Sequence, residues 1–278
     1  MRGFRLQLKR LDRVILVGFF VLFPAAALGT WAVGGWPAVI ADLGLVVAIT
    51  LALQLELYRR SQRWTGQIYR QVESLFSIYG ALPITSPLPP MRDTAISPDF
   101  ATVLIALIRE LRPGCVVEAG SGVSTVIAAY ALKGNGCGRM ISLDHDAGYA
   151  MASSRELRRH SLDDIVSVRY APIVDVRVNG TVWPWYDPGE LADVASIDLL
   201  IIDGPPGKLG RLARYPALPI LIDRLSDNAV VLLDDSLRRD ESEMVDMWLR
   251  EFTDILVEKV RTEKGAAILR RTRERSSG

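Results

Sequence analysis

Cysteine and histidine are nearly missing from this chain of 278 residues, which has two of each. Cys115 and Cys137 fit neither a metal-ligand spacing nor a disulfide framework, and this points to a reducing compartment. Two histidines exclude a histidine-rich metal centre. An excess of charge of one sign is lacking too. Lys and Arg number 33 against 32 Asp and Glu, a formal net charge of +1. That balance argues against a general polyanion-binding surface, and so against a nucleic-acid partner. No internal repeat is visible.

Apolar residues, in contrast, make up 49% of the chain and are concentrated at its start. Residues 14–36 read VILVGFFVLFPAAALGTWAVGGW, without a charge. Residues 37–57 read PAVIADLGLVVAITLALQLEL, with only Asp42 and Glu56. About 20 apolar residues cross a bilayer as a helix. The expectation is therefore a transmembrane helical hairpin over residues 1–60, with spans at about 14–34 and 37–57. Gly34-Gly35-Trp36-Pro37 forms its turn, and Pro37 suits the first turn of the second helix. Trp31 and Trp36 then stand at one interface. Arg2, Arg5, Lys9, Arg10 and Arg13 precede the pair, and Arg59, Arg60 and Arg63 follow it. The turn has no basic residue, so both ends belong on the cytoplasmic side of the inner membrane. A signal peptide ending near Ala25-Ala26-Ala27 is one competing reading, and a pair of buried core helices is another. Length and basic flanks favour the membrane.

Residues 61–96 form a connecting region. Trp64, Ile68, Val72, Leu75 and Phe76 fall at helical spacing, an amphipathic helix expected to pack its apolar face on the domain. A proline-rich connector, LPITSPLPP, follows. Ser97 and Pro98 then read as N-cap and first-turn residue of a helix that ends at Arg112-Pro113-Gly114. Over 97–270 the patterns alternate. Strands are expected at 115–119, 139–144, 165–171, 197–203 and 229–235, with helices between them. Two closing strands flank Thr262-Glu263-Lys264-Gly265. The expected fold class is α/β: a doubly wound, mostly parallel sheet with an antiparallel last strand. Residues 271–278 read as a disordered basic tail.

In such a sheet a ligand lies at the carboxyl ends of the strands. The first strand-to-helix turn is VVEAGSGVST, residues 116–125. Gly120 and Gly122 allow close backbone approach and positive φ. The dinucleotide pattern needs a third glycine at position 125, where Thr125 stands. Glu118 would also repel a pyrophosphate, so a dinucleotide-dependent oxidoreductase is disfavoured. A carboxylate suits the sulfonium and ammonium groups of S-adenosylmethionine, directly or through water. Asp144, ending the second strand, is placed to accept both ribose hydroxyls. A plain helix-capping role is the alternative for Glu118.

With the motifs ISLDHD (141–146), APIVD (171–175), IDLLIIDGPPG (197–207) and AVVLLDD (229–235), the chain resembles the class I S-adenosylmethionine-dependent methyltransferases. Its E-x-G-S-G-x-S-T turn and D-G-P-P-G loop look closest to a bacterial membrane-anchored subgroup. The resemblance implies a Rossmann-like seven-stranded sheet with the last strand antiparallel. It places Glu118, Gly120 and Gly122, with Ser121 and Ser124 of the same turn, at the methionine end of the cofactor. It places Asp144 on the ribose, His145 beside the ribose or adenine, Ala171-Pro172 at the adenine edge, and Asp203 on the crevice.

Asp203, Asp234 and Asp235 end two neighbouring strands and should converge. Three carboxylates in one crevice require a cation or a proton between them. The cationic cofactor could balance part of that charge. Mg²⁺ on Asp203 and Asp235 is the other expectation, by similarity to metal-dependent, catechol-type methyltransferases. Ser236 replaces the asparagine that those enzymes carry. Asp203 and Asp235 are also the candidate catalytic bases. Capping the next helix, or pairing with Arg238 or Arg239, is the alternative for Asp234 and Asp235. Trp185 in an aromatic insert (176–190), and Arg214 and Tyr215 in a basic loop (207–217), are the candidate substrate contacts. For the aromatics, covering a sheet edge competes with that reading. The expected acceptor is a small molecule or lipid-linked glycan, such as an envelope precursor. A non-catalytic cofactor-binding or assembly subunit is the rival reading from another class.

Overall fold

The computed structural model describes residues 23–271. Residues 14–22 of the first expected span, the basic residues ahead of it and tail residues 272–278 lie outside the described residues. The chain divides into two units, residues 1–66 and 67–278.

In the first unit the described residues form two helical stretches joined at a kink, the start of α1 (Phe23–Ala81). Gly35 interrupts it with φ 65° and ψ −159°, where the Gly-Gly-Trp-Pro turn is expected, and Pro37 stands two residues on. That backbone conformation is open to glycine and strained for other residues. From Gly35 to Ala81 the helix has 47 residues, and it is long and apolar enough to cross a membrane. Leu43, Leu45, Ile49, Leu51 and Leu55 are all exposed along it.

The second unit begins with the end of α1. Here Gln71, Ser74 and Ile78 are buried, while Val72 and Phe76, expected inside, face outward with Tyr69 and Tyr79. A polar clasp decides the orientation. Gln71 donates to the Asp99 carboxylate at 2.8 Å and accepts from the Asp99 N–H at 3.1 Å. Asp99 lies in the first turn of α2 (Pro98–Leu111). Ser97 holds the cap position, but its hydroxyl donates to Asp99 at 2.6 Å instead of capping the helix.

The sheet has strands β1 (Cys115–Ala119), β2 (Arg139–Asp144), β3 (Val166–Tyr170), β6 (Ile197–Ile202), β7 (Leu225–Asp234), β8 (Ile255–Val260) and β9 (Ala266–Arg271). Their order is β3-β2-β1-β6-β7-β9-β8. All run parallel except β9, which is antiparallel to both neighbours. Order reverses between β1 and β6, which pair side by side, and a ligand crevice forms at such a switch. The helices α3 (Val123–Asn135), α4 (Ala147–Arg159), α5 (Ala217–Leu221) and α6 (Arg239–Glu251) cover its faces.

Alternation along β6 feeds two cores, as a strand covered on both sides requires. Leu199 and Ile201 pack with Phe100, Leu104 and Ile127 on one face. Leu200 and Ile202 pack with Trp248, Tyr215 and Trp185 on the other. The aromatic insert is a separate hairpin, β4 (Ile173–Val178) and β5 (Thr181–Tyr186), in a two-stranded sheet of its own. Asn179 (φ 50°) and Gly180 (φ 77°) make its two-residue turn, the Asn-Gly chemistry of a tight hairpin.

Candidate functional site

The turn after β1 is held by buried carboxylates on either side. Glu118 is fully buried, and its Oε2 accepts from the hydroxyls of Thr125 and Ser142, each at 2.6 Å. The Thr125 hydroxyl also accepts from the Gly122 N–H at 2.9 Å. Thr125 thus relays Glu118 to the turn, a part that the failed third-glycine position did not suggest. Burial pushes the Glu118 carboxyl up to about 7, against the opposing pull of hydrogen bonds from Ser124, Ser142 and Thr125. Its Oε1 has no hydrogen-bond partner among the described residues.

Gly120 has φ 103°, and a Cβ there would stand 3.1 Å from the Gly204 nitrogen. The ends of β1 and β6 are therefore pressed together on glycine. Gly122 differs from expectation: its φ of 168° is extended backbone, and nothing lies within 4 Å of a Cβ built there. Its contribution is open space beside the turn.

Asp144 closes the turn from β2. Its carboxylate accepts from the Ser121 hydroxyl at 2.6 Å, the Ser121 N–H at 3.3 Å and the Asp146 N–H at 3.0 Å. His145 Nδ1 lies 3.5 Å from it, and the His145 ring meets Tyr186 edge-on at 6.2 Å. The N–H of buried Ala171 donates to the Asp144 carbonyl at 2.8 Å, which sets Pro172 beside the same strand end. Glu118, Gly120, Ser121, Gly122, Ser124, Asp144, His145, Ala171 and Pro172 thus form one continuous rim.

Across the switch point, Asp203, Asp234 and Asp235 converge, with carboxylate oxygens within 4.8 Å of one another. Asp235 adopts φ 65°, an uncommon conformation for a non-glycine residue that often marks functional sites. Buried Arg214 sits among them. Its Nη2 lies 3.0 Å from Asp235 Oδ2 and 3.3 Å from Asp203 Oδ1. Arg238 meets Asp235 at 2.9 Å, and Lys264 Nζ lies 3.5 Å from Asp234. Burial pushes Asp203 up to about 8 and Asp234 to about 6, opposed by Arg214 and Lys264 respectively. The expected convergence is present. The Asp235–Arg238 pair weighed as an alternative is present as well.

Three expectations need correction. Arg214 is buried, with its guanidinium engaged by Asp203, Asp235 and the carbonyls of Asp203 and Asp234. Tyr215 points inward, stacked on Trp183 at 4.7 Å with its hydroxyl donated to Glu251. Trp185 is buried in the core beneath the hairpin. The aromatics cover the sheet, so no face of Trp185 or Tyr215 is left for a ligand. The acidic strand ends keep the oxygen set that the Mg²⁺ expectation needs. Arg214, Arg238 and Lys264 supply positive charge beside these carboxylates.

A cavity of about 190 Å³ opens beside this cluster, lined by Gly207, Leu212, Arg214, Arg238, Arg239 and Met244 among others. Sequence reasoning placed the acceptor against the 207–217 loop but missed the start of α6 as the facing wall.

Residues 117–236 match the family model described as a methyltransferase domain. No curated protein matches the chain. Solved structures share the fold at low identity. The O-methyltransferase TomG of Streptomyces achromogenes, involved in tomaymycin synthesis and solved with S-adenosylmethionine, is 16% identical. That match covers 76% of this chain and 98% of TomG, with a TM-score of 0.53. An O-methyltransferase of Bacillus cereus, solved with S-adenosylhomocysteine, is 15% identical over 73% of this chain and 90% of its own, with a TM-score of 0.50. The matched segment contains the turn, both rim carboxylates and the acidic strand ends, and the chain shares the fold of these enzymes.

Proposed function

We propose that the chain is an S-adenosylmethionine-dependent methyltransferase anchored in the cytoplasmic membrane, with its domain on the cytoplasmic side. The observation that carries the catalytic part is the rim of Glu118 and Asp144 around an open glycine turn at the switch point. Bound there, S-adenosylmethionine supplies an electrophilic methyl group on a positively charged sulfur. Glu118 and Ser124 set the methionine side of the rim. Asp144 exchanges its Ser121 hydroxyl for the ribose hydroxyls, with His145 and Ala171-Pro172 flanking the base.

The acceptor enters through the cavity between the 207–214 loop and the start of α6. The residues there align it for in-line displacement, which makes positioning the main catalytic contribution. Asp203 is the general base for an oxygen acceptor, receiving its proton as the new bond to carbon forms. Asp235 receives two short ion pairs, from Arg214 and Arg238, against one long contact for Asp203. Asp235 is thereby held in place, and Asp203 is left free to exchange a proton.

Membrane anchoring rests on the apolar helix from Gly35 and on Arg59, Arg60 and Arg63 beyond its apolar stretch. The hairpin, with spans at 14–34 and 37–57, belongs to the same reading, and so does an acceptor made or carried at the membrane, such as a lipid-linked envelope precursor. Calorimetry on the full chain in detergent, with S-adenosylmethionine, S-adenosylhomocysteine and NAD in turn, tests the cofactor. Binding of the two sulfur compounds is expected, and binding of NAD alone overturns the proposal. Binding without turnover on any envelope extract favours a non-catalytic subunit. Resistance of the full chain to alkaline extraction from membranes tests the anchor.

A further inference from the structure

We infer that Arg214 is the built-in cation of the acidic crevice, holding the place among Asp203, Asp234 and Asp235 that a divalent metal would require. The three carboxylates present oxygens close enough together to share one ion, and hard divalent cations take such oxygen sets. In this chain a guanidinium stands against two of the three, Asp203 and Asp235, while Lys264 stands against Asp234. Nη2 reaches Asp235 Oδ2 at 3.0 Å, the Asp203 carbonyl at 2.9 Å and Asp203 Oδ1 at 3.3 Å. Nη1 reaches the Asp234 carbonyl at 3.2 Å, and Nε points to the Pro205 carbonyl at 3.5 Å and to Glu241 at 3.8 Å. Every nitrogen of the side chain faces this ring of oxygens, and the side chain is only 5% exposed.

The choice of arginine has a physical reason. Guanidinium keeps its proton at any working pH, and its planar fork can engage several oxygens in fixed directions. It can therefore tie the end of β6 to the end of β7 through their carbonyls, which a spherical ion does less selectively. Charge leaves little room for a further cation. Arg214, Arg238 and Lys264 face four carboxylates, those of Asp203, Asp234, Asp235 and Glu241. Arg214 is a positioning residue in this account, since it orients Asp203 and Asp235. Its consequence for turnover, metal-independent methyl transfer, rests on the proposed activity; its position in place of a metal does not.

Mn²⁺ is the probe, because its binding is read by paramagnetic resonance without turnover. The full-length chain in detergent is titrated with Mn²⁺, and its thermal midpoint is followed with and without millimolar Mn²⁺. The wild type is expected to show no stoichiometric Mn²⁺ binding and no shift in midpoint. Arg214→Ala opens the carboxylate ring, and its Mn²⁺ affinity should rise at least tenfold, with a midpoint raised by the ion. Arg214→Lys, which keeps one charge, should stay refractory to Mn²⁺. Stoichiometric micromolar binding by the wild type overturns the inference, and so does an Arg214→Ala affinity equal to the wild type's. Should Arg214→Ala not fold, the wild-type titration decides alone. Failure of S-adenosylmethionine to bind would defeat the proposed activity and leave these outcomes unchanged. Where methyl transfer is measurable, EDTA is expected to leave its rate unaltered.

Discussion

The Tyr186 hydroxyl lies against Gly204, so that a Cβ on that glycine would stand 2.3 Å from it. The same Cβ would meet the Ala119 carbonyl and the Gly120 Cα at 3.1 Å. The hairpin residue Tyr186 and the two strand ends at the switch point thus share one tight contact. Gly204→Ala is expected to destabilise the domain by about 1–3 kcal/mol through overpacking. Tyr186→Phe in the same chain removes the closest atom and should recover part of that loss in thermal unfolding. Additive effects of the two changes would show that the hydroxyl is not the obstacle.

Glu118 makes stability depend on pH. Its folded carboxyl titrates near 7, above its ordinary value of 4.5. The folded state therefore holds a proton that the unfolded chain has already released. Its stabilising contribution is complete below about pH 4.5 and is lost as pH rises towards 7, an effect of about 3 kcal/mol. Glu118→Gln should flatten this part of the curve of unfolding free energy against pH.

Cofactor binding should show the opposite slope. A cationic ligand favours ionised Glu118, so binding below pH 7 must expel a proton. Affinity for S-adenosylmethionine is expected to improve by about tenfold from pH 6 to pH 8. In calorimetry the Glu118→Gln chain should bind more weakly and without that dependence. Equal affinity in both chains would mean that the carboxylate does not sense the ligand.

Thr125 tests the relay. Thr125→Val removes the hydroxyl that joins Gly122 to Glu118, at a cost of about 1–3 kcal/mol for the unpaired groups. It should also loosen cofactor binding, whereas Thr125→Ser should retain both properties. A valine variant that binds as the wild type does would reduce Thr125 to a packing residue.

The rate of methyl transfer to an oxygen acceptor should climb through a pKa near 8, because Asp203 accepts a proton only when ionised. Asp203→Asn should remove this limb from the pH–rate profile along with most of the activity. An unchanged limb in that variant would assign the proton to another group.

Much of the sheet could be read from apolar runs, because strands covered on both faces leave little else at those positions. Residues 115–119 and 139–144 form β1 and β2 as the pattern predicts. The β4–β5 hairpin went unread, although Asn179-Gly180 between alternating residues is a strong local signal. Its aromatics drew attention as ligand contacts, and only tertiary packing shows Trp185 and Tyr215 turned inward. The rim carboxylates were legible because each ends a strand. The counter-cation was not: Arg214 lies 11 residues after Asp203 and 21 before Asp235 in the chain, and no periodicity joins them. The orientation of the helix at 67–81 was hidden for a related reason, since Gln71 is buried with its amide bonded to Asp99 and not by its own apolarity.

Lys264 lies in the turn between β8 and β9, donates to the Ala95 carbonyl at 2.8 Å and faces Asp234 and Asp235. Ribosomes make that turn only after β7 and β8. A nascent chain emerging without it carries the acids of β7 with one of their ammonium partners still untranslated. Maturation of the crevice thus waits for the β8–β9 turn, and a premature stop ahead of residue 264 would release a protein whose acids lack that partner.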